Sequence, residues 1–173
     1  MNMRPGLRKF VLIAHIVSSV GSLGAVAGFL ALAVAGLTSQ DAQVTRSAYV
    51  AMEVIARFVI VPLVSASLLI GVVQSLATTW GLFRHYWVVA KLLLTLLTLI
   101  VLLLQMEVIS YIAAVAVETT FSADLLGLRR SLVIHAAGGL VVLLVTTTLS
   151  VYKPRGMTRY GWRKLHNQKG GPV

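Results

Sequence analysis

Two histidines in this sequence have small residues close behind them. His15 is followed by two serines and Gly21, and His135 is followed directly by two alanines and two glycines at 136–139. Neutral imidazole nitrogens hold haem iron in helical bundles, and small neighbouring residues make room for the macrocycle. Small residues also let two helices pack closely, with the histidine hydrogen-bonded across the contact. Each histidine is therefore either a candidate haem ligand or a packing residue.

Lys91 stands at the start of the longest leucine-rich run in the chain. Residues 92–104 contain no charge, and nine of these thirteen residues are leucine. The segment from Tyr86 to Leu104 would form a helix ~28 Å long at ~1.5 Å per residue, which matches the hydrocarbon thickness of a bilayer. Tyr86 and Trp87 are aromatic residues typical of a membrane interface. Lys91 would lie about one turn inside, where it either snorkels to the headgroups or faces the bundle and binds an acidic group.

The composition is that of an integral membrane protein. Of its 173 residues, 58% are hydrophobic and 12% are charged, about half the charged share of a soluble domain. The chain has no cysteine, which excludes disulfides, thiolate metal sites and cysteine nucleophiles. Its net charge of +10 lies mostly outside the apolar segments, and this pattern favours contact with anionic lipid over nucleic acid.

Four apolar segments predict the architecture. They cover about residues 10–37, 49–76, 86–111 and 131–152. Only a helix crosses lipid as a single segment with its backbone polar groups satisfied, so the predicted fold is all-α, an integral membrane bundle of four transmembrane helices. The polar stretches Thr38–Ala48 and Glu118–Arg130 are predicted loops, and Pro62 is predicted to kink the second span. Residues 1–155 would form the transmembrane domain and residues 156–173 a basic cytoplasmic tail.

The distribution of lysine and arginine predicts the orientation. With four spans, both termini and the connection between the second and third spans share one side of the membrane. That side carries ten basic residues, against three in the other two connections. Because basic loops stay in the cytoplasm, both termini are predicted to be cytoplasmic, with anionic lipids in contact with the basic tail.

This orientation sorts the polar residues of the spans into two layers. The inner layer, near the cytoplasmic face, contains His15, Gln74, His85 and Lys91. The outer layer contains Glu53, Arg57, Gln105, Glu107 and His135. His15 and His135 therefore cannot ligate one haem, and the candidate axial pairs are His15 with His85 and His135 with Met106. Polar residues within spans are candidates for function because their burial in lipid is costly.

The outer layer also admits structural interpretations. Glu53 and Arg57 are four residues apart with the acid first, the favourable order for a helical ion pair. We expect this pair to be structural, and we expect His135 to be structural slightly more than ligating. Metal binding by histidine and glutamate is an alternative, although no tight HxxxH or HxxE spacing supports it.

Several motifs together resemble a known family. They are His15 in the first span, Arg57 with Pro62 in the second, Tyr-Trp-x-x-x-Lys-Leu-Leu-Leu from residue 86, and Lys-Pro at 153–154. This arrangement, over most of residues 10–155, resembles small bacterial four-helix membrane proteins of unknown function. More distantly it is similar to HemJ-type protoporphyrinogen oxidases and CopD-type copper-resistance proteins.

The HemJ resemblance implies roles for three residues. His15 and the pair Trp87 and Lys91 match positions that HemJ-type proteins use for haem binding and porphyrinogen oxidation. The usual HemJ pattern has a tryptophan seven residues after the histidine, and this chain has Ser22 there. The resemblance also implies that His15 and Lys91, each ~7–8 Å inside its predicted span, face one internal space.

We therefore predict a protein of the bacterial inner membrane with a haem b or porphyrin-related pocket, in which His15 is the ligand and Lys91 pairs with a carboxylate. One alternative is a non-catalytic membrane subunit or scaffold, working as a homo-oligomer or with a partner membrane subunit. A further alternative is a CopD-like metal-handling or small transport protein. The sequence leaves open whether the protein is an enzyme.

Overall fold

Four long helices make up nearly all of the structure. The computed structural model describes residues 4–77, 81–118, 125–154 and 156–163. The helices are α1 (Pro5–Thr38), α2 (Ala42–Ala77), α3 (Tyr86–Glu118) and α4 (Leu126–Tyr152), and each is long and apolar enough to cross a membrane. The predicted all-α bundle of four membrane-spanning helices is thereby confirmed.

The helices pack as an up-and-down bundle. Helix α1 packs on α2 and α4, and α3 packs on the same two helices, so α1 and α3 lie diagonally across the bundle. Short connections make successive helices antiparallel neighbours. We call the end with the start of α1, the α2–α3 connection and the end of α4 the termini end. The end with the connections at 39–41 and 119–125 is the loop end.

The tight apolar core lies in the half of the bundle nearer the loop end. Ala33, Met52, Ala56 and Ile112 are completely buried there, and Tyr49 is 1% exposed. Small residues on α1 and α2 allow this close approach, because alanine side chains leave room for the neighbouring backbone. Because the helices pack closely in this half, the open space between them lies at the termini end.

The helices extend beyond the predicted apolar spans. The prediction that residues Thr38–Ala48 form a loop is wrong, because α2 begins at Ala42. Asp41 caps this helix, and its Oδ1 accepts hydrogen bonds from the backbone N–H groups of Gln43 (2.7 Å) and Val44 (3.4 Å). The cap satisfies donors that a helix start leaves free, so the polar residues that follow can be helical. The loop predicted for Glu118–Arg130 is likewise too long, since α4 begins at Leu126.

A π-helical turn interrupts α2 at Ala56–Ile60. Within it the N–H of Val61 donates to the carbonyl of Ala56, five residues back. Pro62 follows at once, and it has no N–H to continue an α-helical ladder. The position at which Pro62 is predicted to kink the helix is thus directly preceded by a π-helical turn. Such turns often mark functional or strained positions in helices.

The chain after α4 folds back onto the α2–α3 connection. Lys153 ends α4 in the left-handed conformation, with φ of 43°. Thr158 then donates its N–H to the carbonyl of Arg84 at 2.9 Å. Gly161 fits only as glycine, since a Cβ there would lie 2.5 Å from the Arg84 carbonyl oxygen. The described part of the tail is thus attached to the bundle, while residues 164–173 of the predicted tail lie outside the described residues.

Candidate functional site

A cavity of about 570 Å³ lies between the four helices at the termini end. Each helix contributes residues at spacings of three and four, the period that keeps side chains on one helical face. The α1 face includes Arg8, Leu12, His15, Ser19 and Ser22. Two turns separate Arg8 from His15 on this face, so the α1 lining runs from the first helical turn into the apolar part of the bundle.

The lining of the cavity is basic. Arg8, Lys91 and Lys153 line it together with His15, and no aspartate or glutamate occurs among the described lining residues. Because these groups line one cavity, their positive charges repel one another. Among the described lining residues, the cavity thus brings basic side chains together without a carboxylate.

His15 projects into this space from α1. Its Nδ1 is buried and has no hydrogen-bond partner among the residues that the structure describes. Gly71 on α2 faces the ring, and a Cβ at that position would lie 3.0 Å from His15 Cε1. Glycine at position 71 therefore makes the room that the imidazole occupies.

Lys91 faces the cavity from α3. The side chain is partly buried, and Lys91 lines the cavity across the bundle from His15. Its Nζ lies 5.9 Å from the centroid of the Trp87 ring, one turn earlier on the same helix. This distance suits a cation–π contact, in which the ring face attracts the ammonium group. Of the two orientations that the sequence allows for Lys91, the structure has the inward one.

Hydroxyl groups complete the lining of the cavity. The sequence predicts that the threonines at 146–148 bond to carbonyls four residues back, and Thr147 and Thr148 do so. Ser19 on α1 and Ser67 on α2 share a hydrogen bond of 2.7 Å across the helix contact. On α4, Thr146 and Thr147 both donate to the carbonyl of Leu143. Arg8 and Lys153 are not identified from the sequence as cavity residues, although Lys153 belongs to the Lys-Pro motif at 153–154. Their spacing from His15 and Thr146 along the same helical faces is the sequence signal that would have found them.

His85 is not brought into the cavity with His15. It directly precedes α3, where its backbone pairs with Met157 of the returning tail. Its ring centroid lies 6.5 Å from that of Trp87. His85 is absent from the described residues that line the cavity, so the structure does not support the predicted axial pair His15 with His85.

The outer candidates occupy structural positions. His135 is exposed, and its Nδ1 lies 2.8 Å from the carbonyl oxygen of Ser131 on its own helix. Met106 is partly buried and packs against the apolar core. Within the described ranges, no three His, Asp or Glu side chains come together as a group that could hold a metal ion. The geometry therefore does not support His135 and Met106 as the axial ligands of a haem. It does not support a metal site among these described residues either.

Two arginines in the half of the bundle nearer the loop end have partners on neighbouring helices. Arg57 lies 3.2 Å from Glu53 and donates a second bond to Ser110 on α3 at 3.0 Å. A stronger contact was missed from the sequence: Arg129 donates to the hydroxyl of Tyr49 at 2.9 Å and to the carbonyl of Gly36. Its guanidinium also lies 5.5 Å from the centroid of the Tyr49 ring. Arg129 thereby connects α1, α2 and α4.

The fold and this cavity together define a multi-pass membrane protein with a basic internal pocket at one end of a four-helix bundle. No protein-family model, no curated protein and no solved structure matches the chain. What the pocket binds therefore has to be inferred from the residues that line it.

Proposed function

We propose that this protein resides in the bacterial cytoplasmic membrane and binds an anionic ligand with a large apolar body in the cavity, and that the ligand is a carboxylated porphyrin such as haem b. One observation carries the proposal. Three basic side chains and a histidine converge on one cavity whose described lining contains no acidic residue.

Electrostatics favours an anionic occupant. Like charges held close together in a medium of low dielectric repel each other strongly, and burial adds a desolvation cost for each of them. An anion in the cavity would offset both costs. The cavity volume of about 570 Å³ falls within the range of roughly 300–1,000 Å³ that is usual for organic ligands.

The residues present fit a haem-type ligand. An imidazole is the group that most often ligates haem iron, and the His15 imidazole lines the cavity. Lys91 would offer an ammonium group to a propionate across the bundle. Leu12, Leu68 and Val72 supply apolar lining for the ring system. A bound haem would supply one-electron redox chemistry, while these residues hold it, orient it and keep water from it.

An absorption spectrum tests the proposal directly. The full chain, purified in neutral detergent and titrated with hemin, should develop a Soret band that shifts on reduction. His15→Ala should abolish or shift that band, since the imidazole ligand is lost. His135→Ala is the matched control, because His135 is exposed and bonded to its own helix, and it should leave the spectrum unchanged.

Two other outcomes would contradict the proposal. If hemin and protoporphyrin both fail to bind the folded protein, the porphyrin proposal is wrong, and a non-catalytic membrane subunit becomes the better hypothesis. If His135→Ala changes the Soret band as His15→Ala does, the ligand lies outside the cavity.

We further propose that both termini are cytoplasmic, which would place the cavity at the cytoplasmic face. The charge count supports this orientation, because ten basic residues flank the spans on the termini side and three on the other. A reporter enzyme that is active only outside the cytoplasm, fused after Val173, should give no signal. A strong signal would mean that the C-terminus lies outside the cytoplasm, so the proposed topology would be wrong.

A further inference from the structure

The contact between α1 and α4 is closed in one half of the bundle and open in the other. The two helices run antiparallel and pack against each other. A Cβ at Gly139 of α4 would lie 4.0 Å from Val26 Cγ1 of α1, so the helices approach closely at this point. From there toward the termini end, residue numbers fall along α1 and rise along α4. We call the contact between these two helices the α1–α4 seam.

Two rows of residues run along this seam. Seven residues make about two helical turns, so residues at that spacing lie on one helical face. The rows are Leu30, Leu23 and Ile16 on α1, and Val133, Leu140 and Thr147 on α4. Because the helices are antiparallel, the third member of each row lies nearest the termini end.

The first two members of each row are packed, and the third is exposed. The first two pack against the apolar core in both rows. Ile16, by contrast, is 51% exposed, Thr147 is exposed as well, and both line the cavity. The seam that the core closes is therefore open beside the cavity.

The opening extends one turn further on each helix. Val20 on α1 is 60% exposed and Val151 on α4 is 73% exposed, and both also line the cavity. The other two helices differ, because every described lining residue of α2 and α3 is buried or partly buried. A residue that lines a cavity and is also exposed at the bundle surface lies at an opening. Four residues therefore border a lateral opening of the cavity, which we call the portal: Ile16, Val20, Thr147 and Val151.

The portal faces the bilayer, because α1 and α4 are both long and apolar enough to cross a membrane. Arg8 lines the same cavity from the first turn of α1. It precedes Val20 by twelve residues, or ~18 Å by the helical rise. This side of α1 thus has a basic residue near the helix start and apolar residues further in. An anionic amphiphile in a bilayer has the same order, with its acid among the headgroups and its apolar body in the hydrocarbon.

We propose that the ligand enters the cavity sideways from the bilayer through this portal, and that it is an anionic amphiphile dissolved in the membrane. The inference rests on the proposed function for the presence of a ligand. It goes beyond that function by naming where the ligand comes from and how it enters. Passage between the helices keeps the apolar body of the ligand out of water, where exposure of apolar surface is unfavourable.

Reversible plugs in the portal test this route. The chain has no cysteine, so Ile16→Cys and Thr147→Cys each carry a single thiol. Each variant is reconstituted in vesicles and only then modified with benzyl methanethiosulfonate, whose bulky group a reductant removes. Protoporphyrin IX dissolved in the vesicle bilayer should bind and dissociate about tenfold more slowly, with its affinity unchanged within about twofold, because an obstacle in the path raises the barrier equally in both directions. Reductant should restore both rates.

Val17→Cys and Leu144→Cys are the matched controls. Val17 is 62% exposed and Leu144 is 49% exposed, but neither is among the described residues that line the cavity. The same modification there should leave both rates unchanged. If the portal adducts slow binding no more than the control adducts do, the ligand uses another route, and the portal is wrong while the porphyrin pocket stands. Weaker binding with an unchanged rate of entry would also refute the portal, since the adduct would then contact the bound ligand without obstructing its path.

A second probe separates the portal from the proposed function. If no porphyrin binds to any variant, the proposed function fails, and the same plugs are tested with 12-(9-anthroyloxy)stearate, a fluorescent anionic amphiphile that dissolves in the bilayer. Slower binding of this probe in the modified portal variants alone would still support the portal. Equal rates in portal and control variants, or no binding of the probe, would refute it.

Discussion

The two ends of the bundle use polar residues in opposite ways. At the loop end, Arg129 bonds to Tyr49 and to the backbone of Gly36, and Arg57 bonds to Glu53 and Ser110. At the termini end, basic residues line a cavity that has no acid among its described lining residues. The apolar packing is also closest in the half nearer the loop end, where Met52 and Ile112 are completely buried.

This difference shows how a structural polar residue can be told from a binding one. A polar group within a span is costly wherever it lies, so its presence alone does not assign a function. At the loop end the cost is offset by partners on neighbouring helices, which joins the helices together. At the termini end the described lining of the cavity contains no carboxylate, and under the proposed function a ligand would offset the cost.

The largest effect that tests this comparison is expected at Arg129. Arg129→Ala leaves the Tyr49 hydroxyl and the Gly36 carbonyl without their donor, and each lost bond to a charged group costs about 1.5–3 kcal/mol. We expect a loss of stability of about 3 kcal/mol, measured by unfolding in detergent. Arg130→Ala, an exposed neighbour, should change stability little. If the two variants unfold alike, the paired network does not hold the loop end together.

A change of the opposite sign is expected at Lys91. Lys91→Met keeps the length of the side chain and removes a charge that is repelled by Lys153 and not balanced within the described lining. The ligand-free protein should therefore become more stable, by about 1 kcal/mol, while porphyrin binding is weakened or lost. Lys9→Met removes an exposed charge of α1 outside the cavity and should do neither. Destabilisation by Lys91→Met would contradict the interpretation of the cavity as a site of uncompensated charge.

An effect on ligand binding, with little effect on stability, is expected at Gly71. The added methyl of Gly71→Ala would lie 3.0 Å from His15 Cε1, so the imidazole must turn or shift, at a cost of about 1–2 kcal/mol for such overpacking. Hemin affinity should fall about tenfold and the Soret band should move, with little change in unfolding, because alanine favours the helix. Gly28→Ala on α1 has nothing within 4 Å of its added Cβ and serves as the control. An unchanged spectrum in Gly71→Ala would mean that the His15 ring does not contact the ligand.

The sequence predicts the fold well because membrane spans have a simple physical signature. Long apolar segments predict the four helices, and each predicted span lies inside an observed one. Four helix ends, at Thr38, Ala77, Tyr86 and Tyr152, lie within one residue of the predicted span ends, whereas the other four lie more than one helical turn beyond them. Those four are missed because hydropathy ends where the lipid ends, while a helix can continue through a cap. Asp41 allows α2 to begin at Ala42, because its carboxylate accepts hydrogen bonds from two backbone N–H groups. Such a cap depends on backbone geometry more than on hydropathy.

The site is predicted in part for a related reason. His15 and Lys91 are identified as polar residues at matching depth, and both line the cavity. One of the two partners of Arg129 is missed because it is a backbone carbonyl 93 residues away, and carbonyls carry no side-chain signature. Gly71 is missed because its function is to leave space beside a residue on another helix.

The smallest effect is expected at the exposed pair Glu53 and Arg57. Their side chains are 31% and 54% exposed, and ion pairs of this kind contribute only about 0.2–1 kcal/mol. Arg57 also donates to Ser110 on α3, so it keeps a partner when the carboxylate is removed. Glu53→Gln should therefore cost less than Arg57→Gln, which loses both contacts.

The double variant shows whether the two residues are coupled. Unfolding of both single variants and of Glu53→Gln, Arg57→Gln in detergent completes a double-mutant cycle. The double variant should be about as stable as Arg57→Gln alone, because removing the arginine already ends the pairing, with a coupling of about 0.5 kcal/mol. Strict additivity would mean that Ser110, and not Glu53, is the partner that matters to Arg57. Even then the pair would differ from Lys91, because its charges balance each other within the protein and need no ligand.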